Sequence, residues 1–157
     1  MPREQVADRV SSLVNELKAA NKKIAELESA KLRDRLPELL DAAEQIGDIR
    51  LVASFLGTVA GADDVRSLAL EARERLGSDA AVVAFIGDAN GKPSVVVATN
   101  EAARALGANA GAMVKNASKL LGGGGGGKPD VAQGGGQNVS EHAAALHAIR
   151  ELLAAQA

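Results

Sequence analysis

From Val6 the apolar positions run Val6, Val10, Leu13, Leu17, Ala20, Ile24 and Leu27, in alternating steps of four and three. That spacing is an a/d heptad seam. Charged residues of both signs lie between, among them Asp8, Arg9, Glu16, Lys18, Lys22, Lys23, Glu26 and Glu28. The pattern predicts a helix over 3–32, starting near Pro2 and about 45 Å long. A compact hundred-residue domain has a radius of gyration near 13 Å, so such a helix overhangs its own globule and its seam needs another helix.

The register breaks at Ala30-Lys31-Leu32 and resumes as Leu36, Leu39, Ala43 and Ile46. Pro37 fits only a first turn, because it lacks the N–H and crowds the turn before it. A second helix over 35–46 is therefore expected, capped by Asp34 and stopped by Gly47. The seam closes either within the chain, as a helical hairpin, or between two chains. The second helix covers only about a third of the first, which favours self-association.

After Gly47 the period shortens to that of strands. Ile49–Leu56 alternates. Asp63 or Asp64 then caps a helix whose Val65, Leu68, Ala69, Ala72 and Leu76 share one face, with Gly77 ending it. Ala80–Ile86 and Ser94–Thr99 read as strands joined across Asp88-Ala89-Asn90-Gly91, an Asn-Gly turn. Strand, crossover helix, parallel strand and hairpin make a small mixed sheet. Asn100 caps a short helix ended by Gly107, Asn109 caps another through Leu121, and a last helix over 139–155 buries Leu146, Ile149 and Leu153. The class is α+β: a coiled-coil-like helical subdomain over 1–47, then a small α/β globule over 48–157 with a mixed sheet and a glycine-rich loop.

Composition narrows the chemistry. Of 157 residues 46% are apolar and 24% charged, as in foldable soluble chains. No apolar run is long enough to span a membrane, and MPREQVADRV has no apolar core like a secretory leader's. The absence of cysteine excludes disulfides, a thiolate nucleophile and Cys-based zinc sites. His142 and His147 lie five apart, so a helix does not place both on one face, and they read as ordinary surface histidines. No paired carboxylates, serine elbow or metal constellation appears. With a net charge of −2, contact with nucleic acid must come from a local patch. Two phenylalanines, with no Tyr or Trp, argue against reading single strands by stacking.

The chemistry concentrates in LLGGGGGGKPDVAQGGGQN. Nine of the seventeen glycines fall between Gly122 and Gly136. Six consecutive glycines are costly to order. A flexible tether is one reading, but the segment sits between two amphipathic helices of one globule and lacks serine. The other reading is a backbone cradle, in which a chain without Cβ atoms approaches a ligand closely and turns N–H groups onto anionic oxygen. From Ala102 to Pro129 the only ionisable side chains are Arg104, Lys115, Lys119 and Lys128. Lys115 and Lys119 are i, i+4 neighbours. With Gly122, Gly123, Gly124, Gly125, Gly126, Gly127, Lys128, Gly135 and Gly136 they form a candidate phosphate-binding patch, to which Gln133 and Asn138 add hydrogen-bonding groups. Asn138 and Glu141 are also spaced as a capping box, and Asp130 reads as a turn residue that could fix the loop. The P-loop pattern fails, because Pro129 stands where a hydroxyl must ligate Mg²⁺ and because the loop follows a helix.

GGGGGGKPDVAQGGG, preceded by a heptad-bearing helix, resembles the C-terminal domain of the alanyl-tRNA synthetase family, which is related to the substrate-binding module of DHH-type phosphoesterases. The match runs over Gly122-Gly123, Gly125 to Gly127, Lys128, Pro129, Asp130, Val131, Ala132, Gln133, Gly135 and Gly136. Gly124 departs from the pattern, since that place is often basic in relatives. The resemblance implies a non-catalytic, cytoplasmic appendage of an alanine–tRNA ligase that contacts the outer corner of tRNA-alanine, supports aminoacylation and editing, and dimerises through Val6, Val10, Leu13, Leu17, Ile24 and Leu27. It implies that ATP, Mg and Zn belong to other parts of the ligase, with no cofactor in this piece and Met1 supplied as a start. The alternatives are a purely structural or oligomerisation module that binds no RNA, and the substrate-binding domain of a DHH-type phosphoesterase.

Overall fold

A computed structural model describes residues 3–59, 61–89 and 91–156. Met1, Pro2 and Asn90, which enter the readings of the chain start, the helix start and the Asn-Gly turn, lie outside the described residues. Helix α1 (Arg3–Asp34) follows the heptads. Its stripe is bare: Leu13 is 56% and Leu17 61% exposed, and Val6, Val10, Val14, Ala20, Ile24 and Leu27 are exposed with them. Among the described residues the C-terminal end of α1 meets the globule, where Arg33 lies 3.9 Å from Glu71.

The expected helix over 35–46 is shorter than its pattern. Helix α2 (Leu36–Asp41) has Pro37 in its first turn, and Arg35, not Asp34, stands at its cap. Leu36 and Leu39 turn into the globule and not onto α1, so no helical hairpin closes the seam. Glu44–Ile46 is strand β1, paired antiparallel with β2 (Ile49–Val59), with Ile46 opposite Ile49. Extension lets Ile46 pack against the sheet's core, and that burial outweighs a weak helix preference. The sheet therefore draws in residues on the N-terminal side of Gly47.

Beyond β2 the chain runs through α3 (Ala62–Arg75), β3 (Ala81–Ala89), β4 (Lys92–Thr99), α4 (Glu101–Ala105), α5 (Ala110–Leu120), β5 (Gly124–Gly127), β6 (Val131–Gly135) and α6 (His142–Gln156), the last entered through a 3₁₀ turn at Val139–Glu141. The sheet has six strands in the order β1-β2-β3-β4-β6-β5. β2 and β3 are parallel across the α3 crossover, as the alternation predicts, and the remaining neighbours are antiparallel.

Alternation along β3 and β4 supplies two cores. Val82, Ala84, Ile86, Val95 and Val97 face α5 and α6, where Met113, Val114, Leu121, Ile149 and Leu153 are buried with them. Val83, Phe85, Val96 and Ala98 face α2 and α3. Cover on both faces explains why these strands read as continuous apolar runs.

Two expected caps hold: Asn100 and Asn109 accept from the N–H of Ala103 and Ala112. Helix α3 differs. Gly61 stands at its cap with no side-chain bond, and Asp63 and Asp64 lie inside the first turn, where the helix dipole favours carboxylates. The Asn138–Glu141 capping box does not form either; only the Glu141 N–H bonds back to the Asn138 carbonyl. His142 is not an ordinary surface histidine. Its ring stacks on Phe55 with centroids 3.9 Å apart, and its Nδ1 is enclosed without a partner. His147 is exposed and reaches Glu151 at 2.9 Å.

Candidate nucleic-acid interface

The glycines do not form a loop. Leu121 ends α5, and Gly122 reverses the chain at φ +79°, a left-handed conformation that favours glycine. From there the segment becomes the β5–β6 hairpin at the edge of the sheet, its tip being Lys128-Pro129-Asp130. The tip is pinned from two sides. Thr99 donates its N–H to the Asp130 carbonyl at 2.8 Å and its hydroxyl to the Pro129 carbonyl at 2.6 Å, and Ala110 N–H reaches Pro129 as well. Asp130 thus fixes the hairpin, as its place in the turn suggested, through its backbone.

Close packing accounts for part of the glycine content. A side chain on Gly123, Gly125 or Gly127 would run into the backbone of the partner strand, and one on Gly134 into Ser118 of α5. One on Gly136 would overlap the Leu121 carbonyl. At Gly124 and Gly126 nothing stands within 4 Å, so their bareness answers no packing demand. Both belong to the face of β5 turned away from α5.

The edge itself presents backbone. Lys128 N–H donates to Val131 at 3.1 Å, which makes theirs a hydrogen-bonded pair. Antiparallel alternation then gives bonded pairs at Gly126–Gln133 and Gly124–Gly135. The N–H and C=O groups of Gly125 are left along the open side, while the Gly127 carbonyl lies against Gly111 at the start of α5.

The expected cations distribute unevenly around this hairpin. Lys115 and Lys119 are exposed on α5, on the helix side opposite its buried Met113, Val114 and Ala117. Arg104 leaves the patch: it donates to the Thr99 carbonyl at 2.7 Å, and Arg73 approaches the same oxygen at 3.4 Å. Lys128 stays at the tip. Here an open groove of about 310 Å³ is lined by Arg66, Gly126, Gly127, Lys128, Asp130 and Gln133. It lies on the α3 side, so Lys115 and Lys119 are not among its walls. Arg66 was invisible to local reading, because only the crossover brings α3 beside the hairpin and no spacing in the sequence encodes that. Asn138 lies at the other end, its side chain against Gly122.

A sheet with helices on both faces and a glycine-built edge hairpin beside a cationic groove defines a class, and the sequence confirms it. The chain belongs to the DHHA1 domain family, whose model matches residues 48–155. Within that class its likeness is to alanyl-tRNA synthetases. It is 49% identical over 148 residues to an alanine–tRNA ligase of Leifsonia xyli, covering 94% of this chain and 17% of that protein. With one of Renibacterium salmoninarum it shares 53% over 155 residues, covering 99% and 17%. The chain therefore spans about a sixth of the length of these relatives. Among solved structures it matches the C-Ala domain of Aquifex aeolicus alanyl-tRNA synthetase with a TM-score of 0.64 at 28% identity, over 71% of this chain and 97% of that one. RecJ of Thermus thermophilus shares the fold alone, with a TM-score of 0.50 at 19% identity over 92% of this chain and 20% of that one.

Proposed function

We propose that this chain is the tRNA-binding and dimerising appendage of an alanine–tRNA ligase. It rests against the outer corner of tRNA-alanine, so that the remainder of the synthetase can aminoacylate and edit the same molecule in the cytoplasm. The observation that carries the reading is the exposed glycine edge strand, bare at Gly124 and Gly126 without a packing reason, with Lys128 at the hairpin tip and Lys115 and Lys119 exposed on the outer side of α5. Folded RNA is read largely by shape, phosphates and 2′-hydroxyls, which calls for donors and cations and for few aromatic platforms. Gly122 to Gly127, Gln133, Gly135 and Gly136 supply the backbone surface. The reading gives this chain no cofactor; ATP, magnesium and zinc belong to the other parts of the ligase.

A handful of phosphate contacts gives weak, salt-sensitive binding, which tethering within a full synthetase raises to a useful level. Dimerisation uses the bare heptad stripe of α1, since an apolar surface of that length in water favours a second helix. The experiment is a titration of tRNA-alanine at two salt concentrations, coupled to a mass measurement. Wild type binds as a dimer, and Lys115→Ala, Lys119→Ala and Lys128→Ala each weaken binding and reduce the salt slope by about one. Unchanged affinity in the triple variant overturns the RNA reading. The packing role of Gly123, Gly125, Gly127, Gly134 and Gly136 favours a second reading, an oligomerisation module that binds no RNA. A dimer indifferent to tRNA supports that one.

A further inference from the structure

Two arginines from different helices meet at one oxygen where β4 ends. Arg104 Nη1 donates to the Thr99 carbonyl at 2.7 Å, and Arg73 Nη1 reaches the same carbonyl at 3.4 Å and that of Asp130 at 3.5 Å. Both side chains are partly buried. A guanidinium carries a permanent charge and five N–H donors, and these bonds use one nitrogen of each. Neither arginine has an ion-pair partner within 4.0 Å among the described residues. A carbonyl dipole offsets only part of two neighbouring charges held partly out of water, so the pair attracts an anion.

The pair lines an open groove of about 310 Å³ between the end of α3 and the start of α4, together with Glu74, Gly77, Asn100 and Glu101. A second opening of about 440 Å³ adjoins it, sharing Gly77, Asn100 and Glu101 and adding Ala102 and Ala105. The trough is preformed, because the Asn100 amide ties its two walls: Nδ2 donates to the Gly77 and Asp79 carbonyls, and Oδ1 accepts from Ala103 N–H. Ala102, Ala105 and the C-cap Leu106 are spaced by three and four residues, on one side of α4. Ala105 is exposed and Leu106 is 41% exposed. An anion anchor therefore adjoins an apolar shelf.

That combination selects its occupant. Small-molecule sites bury most of their ligand, which an open trough does not. A polyanion laid along the trough passes Glu74 and Glu101, both exposed, and has no group that profits from the shelf. A single carboxylate matches the forked donors of an arginine, and an aliphatic side chain beside it covers the alanines. We infer that this trough docks a protein segment of acidic–apolar chemistry, with one carboxylate on Arg73 and Arg104 and a neighbouring aliphatic side chain on Ala102, Ala105 and Leu106. The site is built by α3, β4 and α4 and takes no ligand contact from the glycine strands, so it stands independently of the RNA-binding reading.

The test is an amide and side-chain NMR titration of the whole chain, at low salt, with acetyl-Leu-Glu-Leu-amide, acetyl-Leu-Gln-Leu-amide, inorganic phosphate and tRNA-alanine. The glutamate peptide is expected to shift the Arg73 and Arg104 Nε–H signals and the amides of Gly77, Ala102 and Leu106. It binds about tenfold more tightly than the glutamine peptide, the range for a hydrogen bond to a charged group. Arg73→Gln removes that difference. Because both arginines also hold the Thr99 carbonyl, a second variant leaves them in place: Ala105→Asp puts a like charge on the exposed shelf and weakens the glutamate peptide by about tenfold as well. The Lys115→Ala/Lys119→Ala/Lys128→Ala variant binds the peptide as wild type does. Equal affinity for the two peptides, phosphate binding as tight as that of the glutamate peptide, or no shift at the two arginines overturns the inference. So does tRNA that shifts both arginine signals and displaces the peptide, an outcome that gives the trough to RNA and leaves the RNA reading standing.

Discussion

Ser118 and Gly134 claim the same space. The hydroxyl of Ser118, buried on α5, fills the volume that a side chain on Gly134 would occupy, and it does so without a hydrogen-bond partner. Gly134→Ala therefore forces the hairpin off the helix and costs about 1–3 kcal/mol, the usual range for overpacking. Ser118→Ala removes an unsatisfied buried hydroxyl and leaves stability level or raised, since the desolvation of that group is no longer uncompensated. Because the two residues touch, their effects couple, and the double variant is more stable than Gly134→Ala alone. Urea denaturation of the four proteins checks this; a strictly additive double variant counts against the contact.

The hairpin glycines divide into two classes by the same measure. A methyl on Gly123, Gly125 or Gly127 collides with partner-strand backbone, so alanine at any of them destabilises the chain. Gly124 and Gly126 have open space, and neither has a left-handed φ. Alanine there is expected to stabilise by about 0.4–1 kcal/mol, because it restricts the unfolded chain. If the outward face carries RNA, the two substitutions also lower tRNA affinity while the melting temperature rises. Melting curves and binding isotherms on the same samples separate the effects. Unchanged affinity in Gly124→Ala/Gly126→Ala removes the functional reason for a bare strand.

What could be read from the sequence follows the range of the signal. The α1 heptads, the Asn100 and Asn109 caps and the β2–α3–β3 crossover are encoded by residues within a few positions of one another, and each appears as expected. The glycine hairpin is not encoded that way. Strand periodicity is a pattern of side chains, and β5 has none; its extension is dictated from outside, by β6 on one side and by Ser118 of α5 beneath. Glu44-Gln45-Ile46 is equally silent, too short to alternate and extended only because β2 lies beside it. At the site, Lys128 and Gln133 were legible because they adjoin the glycines, whereas Arg66 enters across the crossover.

The α1 seam supplies a test that spares the globule. Leu13 and Leu17 are both more than half exposed, so they add little to the stability of the single chain. Leu13→Glu/Leu17→Glu places like charges at the centre of any helix pair and removes two apolar layers. If two chains associate through this stripe, sedimentation shows the wild-type dimer converted to a monomer, while the urea transition of the sheet keeps its slope. A wild-type monomer at high concentration removes self-association through α1.

Asn100 and Asn109 were identified by one signal, a polar residue before a helix, yet the structure gives them different weights. Asn109 makes a single cap bond, to Ala112 N–H at 3.1 Å. Asn100 Oδ1 accepts from Ala103 N–H at 2.9 Å and also from Ala81 N–H at 3.0 Å, where β3 begins. Its Nδ2 donates to the carbonyls of Gly77 and Asp79 in the turn after α3. One amide therefore holds together the end of the crossover, the start of a central strand and the first turn of α4. Asn109→Ala should cost about 1 kcal/mol, the usual loss of a cap. Asn100→Ala leaves several partners unmet and should cost about 2–4 kcal/mol, the sum of a cap and at least one part-buried bond. Asn100→Asp keeps the acceptor and removes the donor, so its loss falls between the two. Urea midpoints for the three variants give the order, and equal losses for Asn100→Ala and Asn109→Ala would reduce Asn100 to an ordinary cap.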